Sequence, residues 1–204
     1  MRPLLFLACL GLASPAMAEN ILAPPLSGIR NTDDLAQYLS QSGRRVLYEK
    51  GESPVPVHIP AGITTIEGLL ACDSVKTSAG LSEQDDWICI LPVPAVSAPF
   101  RTMIHGLSLR EATPREAIQA VAKSTGIPLT PLLQDRVASR QRITINFDGV
   151  TIHDALRRIA SAIGKSKCTL HPGDPFFVNM IEFSNPPDPA LVQALIARER
   201  ANTP

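Results

Sequence analysis

The feature that most constrains the fold is a succession of helix and strand signals that the sequence contains twice. Residues 25–92 predict helix, strand, strand, helix and strand, and residues 113–183 predict the same order. Gly62-Ile63-Thr64 aligns with Gly149-Val150-Thr151 at a separation of 87 residues. A repeated element order predicts two units of the same kind, each with its own small core.

The alignment extends into the helices. Matching positions carry side chains of the same character, and their separation of 83 residues in the first helices and 87 in the second places an insertion in the intervening loop. The aligned pairs are Leu35 and Ile118, Tyr38 and Val121, Gly43 and Gly126, Glu67 and Asp154, and Leu69 and Leu156. The leading strand of the first unit shortens to Ile21-Leu22-Ala23 before Pro24-Pro25, so that unit is a divergent copy.

Three helix starts have the form of a capping box, in which a threonine hydroxyl accepts from an early backbone N–H and a carboxylate reaches back to the threonine's own N–H. They are Thr64-x-x-Glu67, Thr113-x-x-Glu116, where Pro114 also fits the first helical position, and Thr151-x-x-Asp154.

The last of these helices begins with an adjacent histidine and aspartate, which raises the question of a catalytic pair. Apolar residues at helical spacing predict its buried face: Ile152, Ala155, Leu156, Ile159 and Ile163. His153, Asp154, Arg157 and Arg158 fall on the complementary face. Because Asp154 serves as a cap and His153 points away from the apolar stripe, we expect a solvent-exposed pair without a chemical role, and an intact fold after His153→Ala.

Strand signals in the second unit separate a buried strand from an edge. Ile143, Ile145 and Phe147 alternate with polar residues, as in a strand with one solvated face. Pro128 and Pro131 make any strand after the first helix of this unit short and confine it to an edge. Such an edge presents backbone groups to which a strand of another protein can add.

The ends and the middle of the chain complete the predicted organisation. Residues 1–18 combine Arg2, a short apolar run and Ala16-Met17-Ala18, and they predict a secretory signal peptide. Units at 19–91 and 102–183 follow, joined by a proline-rich linker at 92–101 that favours an extended connector between independently moving units.

The tail at 184–204 predicts an amphipathic helix whose apolar side docks on its own domain or on a partner. The partner-binding candidates on that side are Leu191, Val192, Leu195 and Ile196.

Charge and hydropathy exclude two classes of partner. The chain has 19 basic and 19 acidic side chains, scattered without a basic patch, so we expect no nucleic acid as a partner. No apolar run after the leader is long enough to span a membrane, so we expect a protein that does not cross one.

Cysteine usage offers a disulfide. Three cysteines follow the leader, and in an exported protein the helix and the succeeding strand could bring Cys72 and Cys89 together. The alternative is a pair of small buried thiols.

Motifs for catalysis or cofactor binding are missing. There is no glycine-rich phosphate loop, no H-E-x-x-H and no G-x-S-x-G, so we expect no catalytic residues, no cofactor and no enzyme. Cys168-x-x-His171 supplies two soft ligands where a structural zinc site uses four, so we expect no metal. A thiol enzyme built on Cys168 and His171 is the minor alternative.

The stretch MIHGLSLREATPREAIQAVAKSTGI, followed by RITINFDGVTIHDALRRIASAIG, resembles the secretin and TonB short N-terminal domain over about residues 102–183. The carrying features are a leading apolar strand, a helix that ends in Thr125-Gly126, an alternating strand and the G-V-T-x-x-D-A-L helix start. The resemblance implies a β-α-β-β-α-β unit with two helices packed on small sheets. We therefore expect an α+β fold with two such tandem units and a C-terminal helix.

The resemblance also implies a function through protein contact in the periplasm. We expect an exported adaptor subunit of an envelope-spanning assembly, such as a secretion, pilus or conjugation apparatus. Its partners would be envelope proteins, for example a secretin or a TonB-dependent receptor, through which it could associate with the outer membrane. The alternative is a soluble signalling module linked to TonB-dependent transport.

Overall fold

The computed structural model describes residues 26–92, 98–132 and 140–180, together with residues 197 and 201. In the first part of the chain, residues 26–92, the helices are α1 (Thr32–Gln41), α2 (Ile66–Ala71) and α3 (Asp73–Ala79). The strands of this part are β1 (Arg45–Glu49), β2 (Leu81–Gln84) and β3 (Trp87–Ile90). The second part has helices α4 (Pro114–Thr125) and α5 (Ile152–Ala162). Its strands are β4 (Met103–Ile104), β5 (Leu107–Ala112), β6 (Leu129–Leu132), β7 (Ile143–Phe147), β8 (Val150–Thr151), β9 (Lys167–His171) and β10 (Phe176–Asn179). Helices combined with mixed sheets confirm the predicted α+β class.

One sheet runs through both parts of the chain. Its six strands lie in the order β2-β3-β1-β9-β10-β6, and two-stranded sheets β4–β8 and β5–β7 accompany it. The parallel pair β1–β9, in which Leu47 lies beside Cys168, joins the first part to the second. The independent movement that we expected of the two units is therefore wrong, because a proline-rich connector does not reveal that strands on its two sides hydrogen-bond. The boundaries at 92–101 stay a prediction, and residues 93–97 lie outside the described residues.

Two cores lie on opposite faces of this sheet. Along β1, Leu47 contributes to the core under α4 and α5, while Val46 and Tyr48 contribute to the core under α1, α2 and α3. This alternation is the ordinary two-residue period of a strand. The β5–β7 sheet packs on α4 and α5 as well, and Phe100, near the end of the predicted linker, is fully buried there. We call these the α4/α5 core and the α1–α3 core.

Local sequence signals account for most element ends. The capping boxes of Thr113 with Glu116 and of Thr151 with Asp154 are both present. Gly126 ends α4 in the left-handed conformation at φ 72°, which a glycine adopts without steric cost. The predicted apolar face of α5 is buried, the alternation of β7 is confirmed, and β6 is a four-residue edge strand as predicted from its prolines.

The third capping box is displaced by one residue. Thr65, not Thr64, caps α2, and its hydroxyl accepts from Gly68 N at 3.0 Å. Glu67 instead forms an ion pair with Arg44 at 2.7 Å. Two consecutive threonines offer the same hydroxyl, so the Thr-x-x-Glu spacing alone could not choose between them.

The remaining predictions on chain organisation fall outside these ranges. The signal peptide at 1–18 and the candidates Leu191, Val192, Leu195 and Ile196 lie outside the described residues. Within the described ranges, no helix combines the length and the apolar composition needed to cross a bilayer.

Candidate functional site

His153 occupies a buried position, which corrects the exposed position that we expected. The residue is 6% exposed, and its Nε2 lies 3.2 Å from Oε2 of Glu49, which is 2% exposed. The ring of Phe100 stacks obliquely on the imidazole with 5.4 Å between centroids. The expectation failed because Glu49 at the end of β1 and the ring of Phe100 cover His153 on the side of α5 that the apolar stripe leaves polar. His153 is thus a buried contact between the two parts of the chain.

Two further residues of α5 continue this contact at four-residue spacing. Arg157 is 5% exposed, and its guanidinium donates to the backbone carbonyl of Gln84 at 2.7 Å. One turn later, Ser161 Oγ accepts from Trp87 Nε1 at 3.1 Å. We call His153, Arg157 and Ser161 the polar stripe of α5. Its i, i+4, i+8 spacing is the sequence signal that could have revealed a second buried helix face.

Asp154 combines its capping role with support for Arg157. Burial alone would raise the pKa of this carboxyl, but hydrogen bonds from the Arg157 guanidinium and from Thr151 outweigh burial and hold the pKa below its usual range. The aspartate is therefore charged at neutral pH, and it fixes the orientation of the arginine.

A small pocket opens beside the polar stripe. It has a volume of about 210 Å³ and is lined by Asp85, Asp86, Trp87, Arg157, Arg158 and Ser161. Such a volume suits one side chain and lies below that of typical drug-sized ligand sites. We call it the Arg157 pocket.

The charges around the Arg157 pocket are not all paired. Asp86 forms an ion pair with Arg45 at 2.7 Å, and Asp85 forms one with Arg157 at 3.3 Å. Arg158 is exposed and has no hydrogen bond or ion pair within the described part of the chain. The buried Nε of Arg157 also has no hydrogen-bond partner there. The pocket therefore offers unpaired guanidinium donors to an anionic group.

The pocket lies at the turn in which β2 ends, and β2 is an edge strand of the sheet. Asp85 and Asp86 form a two-residue turn with φ values of 52° and 42°, the backbone that a tight hairpin requires. Gly80 O accepts from Leu91 N at 3.2 Å, so the backbone of Gly80 faces the β3 side. By strand alternation the backbone groups of Leu81 and Glu83 point away from β3. Neither makes a backbone hydrogen bond to a further element among the described residues.

The opposite edge of the sheet, β6, is closed by proline. Phe176 N donates to Pro128 O at 2.9 Å, so Pro128 faces β10 and alternation directs Leu129 and Pro131 outward. Pro131 has no N–H to offer. Of the two edges, β6 is therefore the weaker template for an added strand.

The predicted disulfide is not formed. Cys72, Cys89 and Cys168 are free thiols in the structure. Cys72 packs against the α1–α3 core, whereas Cys89 points into the α4/α5 core, so the sheet lies between them. The sequence suggested that a strand beside its helix would bring them together, but it did not show which face of the strand carries Cys89.

Cys168 and His171 are also separated. Three residues apart on β9, they project to opposite faces of the sheet. Complete burial raises the pKa of the Cys168 thiol well above its ordinary value, so the thiolate is disfavoured. This geometry does not assemble the nucleophile and base of the thiol enzyme that we considered. Among the described residues, no group of three or more His, Cys, Asp or Glu is placed to hold a metal ion.

His171 lies on the α1–α3 face near Lys50 and Lys167. Burial, reinforced by these two ammonium groups, lowers its pKa to about 4. Its buried Nε2 has no partner among the described residues, so the imidazole is neutral at physiological pH.

Comparisons with known proteins add no identification: no protein-family model matches the chain, and no curated protein or solved structure matches it. The class that the structure defines is an α+β protein with one mixed sheet between two helical layers. The resemblance of residues 102–183 to the secretin and TonB short N-terminal domain stays an interpretation of the sequence.

Proposed function

We propose that this protein is an exported, periplasmic interaction subunit of an envelope-spanning assembly, and that it binds an extended segment of another envelope protein along the edge of β2. The observation that carries the proposal is the open edge itself, where Leu81 and Glu83 direct backbone donors and acceptors away from the sheet. Main-chain hydrogen bonds to such an edge are a recurrent mode of peptide recognition.

The sequence and the element order support the same class of function. The leader at 1–18 has the form of an export signal. Apart from the two-residue strands β4 and β8, residues 103–171 have the order β5-α4-β6-β7-α5-β9. This order agrees with the arrangement that the resemblance to the secretin and TonB short N-terminal domain implies. That resemblance carries no catalytic residues, and it implies contact between envelope proteins.

The length of β2 sets the kind of binding to expect. Four residues place only two of them, Leu81 and Glu83, with outward backbone groups. Each hydrogen bond adds about 0.5–1.5 kcal/mol net, so the edge alone supports weak binding. Side-chain contacts beside the edge must contribute the remaining affinity and the choice of partner.

The test removes one outward donor without touching the sheet's own hydrogen bonds. Glu83→Pro deletes the N–H that points away from β3, and Glu83→Ala is the matched control that keeps it. Tagged wild-type protein and both variants would be expressed in the host, crosslinked and purified, and captured envelope proteins identified by mass spectrometry.

We expect wild type and Glu83→Ala to capture the same component of an envelope assembly, and Glu83→Pro to capture about two- to tenfold less of it at unchanged melting temperature. Equal capture by the two variants would show that the β2 edge is not the docking site. Capture of no envelope component by any form would remove the adaptor function.

A further inference from the structure

We infer that the Arg157 pocket receives an acidic side chain from the segment that docks on β2. This inference rests on the proposed use of the β2 edge, and it adds the chemistry of the partner: an extended segment with a carboxylate at one defined position.

The pairing of β2 with β3 shows on which face of the sheet a docked side chain would lie. In the β2–β3 pair, Ser82 lies beside Cys89 and Gln84 beside Trp87. Cys89 and Trp87 belong to the α4/α5 core, so Ser82 and Gln84 project on the side of α5. A strand added beside β2, about 4.8 Å away, would direct every second side chain to that side.

The position of the Arg157 pocket along β2 selects one residue of the docked segment. The guanidinium of Arg157 donates to the carbonyl of Gln84 at 2.7 Å. The pocket is lined by the turn that follows Gln84, Asp85 and Asp86, and by residues of α5. The docked residue opposite Gln84 is therefore the one whose side chain lies next to the pocket.

The charges in the Arg157 pocket favour an acidic side chain over a basic one. The two aspartates of the pocket are already engaged, by Arg45 and by Arg157. Arg158 and the buried Nε of Arg157 are the groups without a partner among the described residues. An incoming carboxylate would satisfy guanidinium donors, whereas an incoming ammonium would meet only carboxylates that are paired.

The pocket should also distinguish a carboxylate from an amide of the same shape. A guanidinium binds a carboxylate through paired hydrogen bonds, and such charge-assisted bonds are roughly twice as strong as neutral ones. An amide of the same shape offers one acceptor oxygen and no charge. The pocket should therefore distinguish glutamate from glutamine at the position opposite Gln84.

The test uses Trp87, the single tryptophan of the chain, as a reporter inside the pocket. Two synthetic eight-residue peptides of alternating threonine and valine would be titrated into the mature protein. One carries a central glutamate and the other a central glutamine, and Trp87 fluorescence gives the dissociation constant of each. Arg158→Gln probes the pocket, and Arg110→Gln, at an exposed position of β5, is the control with the same change of charge.

We expect the glutamate peptide to bind wild type and Arg110→Gln about tenfold more tightly than the glutamine peptide, and Arg158→Gln to lose that preference. Glu83→Pro should weaken the binding of both peptides. Equal binding of the two peptides to wild type, still sensitive to Glu83→Pro, would overturn the carboxylate pocket and leave the edge intact. Binding of neither peptide at millimolar concentration would overturn the edge and the pocket together.

Discussion

Within two turns, helix α5 has one polar residue that is buried and another that is exposed. At its start, His153 is buried against Glu49 and ties the helix to β1. One turn on, Arg158 is exposed beside an open pocket and has no partner among the described residues. The difference arises from position around the helix: Arg158 lies five residues after His153, a rotation of about 140° away from the buried side that His153 and Arg157 share. One face of α5 thus joins the two parts of the chain, and the adjoining face carries the residue that we propose for binding.

The largest effect on stability is expected from His153→Ala. It leaves the Glu49 carboxylate buried without its partner and opens a cavity under Phe100, so we expect a loss of about 3–5 kcal/mol in the free energy of unfolding. Urea denaturation of the protein measures it.

A double variant separates the pair from the space that it fills. Replacing both Glu49 and His153 by leucine removes the buried carboxyl group together with its partner and should recover most of the loss. A single variant that unfolds with wild-type free energy would show that the contact with Glu49 does not stabilise the fold.

His171 contrasts with His153 because its buried Nε2 has no partner among the described residues, and it should therefore affect how stability depends on pH. Burial first, and Lys50 next, lower its folded-state pKa to about 4, against an ordinary value of about 6.5 in the unfolded chain. The unfolded chain therefore binds more protons between these values, and stability is lost as the pH falls from about 6.5 to about 4. In His171→Gln that contribution to the pH slope should vanish. Identical slopes of melting temperature against pH would contradict a buried neutral imidazole.

A smaller effect is expected at the last contact of the polar stripe. Trp87→Phe keeps most of the buried ring and removes the hydrogen bond to Ser161, so we expect a loss of about 1 kcal/mol. Ser161→Ala is the partner in a double-mutant cycle, and the coupling measured by denaturation should be of the same size. Strictly additive losses would mean that this hydrogen bond does not contribute.

The smallest effect on stability is expected at Arg158. Because the side chain is exposed and unpaired within the described residues, Arg158→Gln should change the free energy of unfolding by less than about 0.5 kcal/mol. Thermal melts beside those of His153→Ala give the comparison directly. A loss of more than about 2 kcal/mol would place Arg158 in the fold and not in a binding site.

The sequence predicts the fold where local signals decide it. The stripe from Ile152 to Ile163, the cap at Thr151, the alternation of β7 and the proline edge of β6 all follow from spacing and from turn chemistry. Each depends on residues within a few positions of one another.

Contacts between distant parts of the chain were not predicted. The pairing of β1 with β9 and the contact of Glu49 with His153 join residues about a hundred positions apart. A helical period shows one buried face, but it does not show that a second element covers the other. The same limit placed Cys72 and Cys89 together, because the face that Cys89 uses depends on which core its strand covers.

Photocrosslinking in the host, from each side of the molecule, shows whether a partner docks on the β2 edge. A photoreactive amino acid would replace Glu83 at the outward position of β2 or Thr144 at an exposed position of β7. We expect Glu83 to crosslink to a component of an envelope assembly and Thr144 not to crosslink to it. A crosslink to that component from Thr144, with none from Glu83, would contradict docking on the β2 edge.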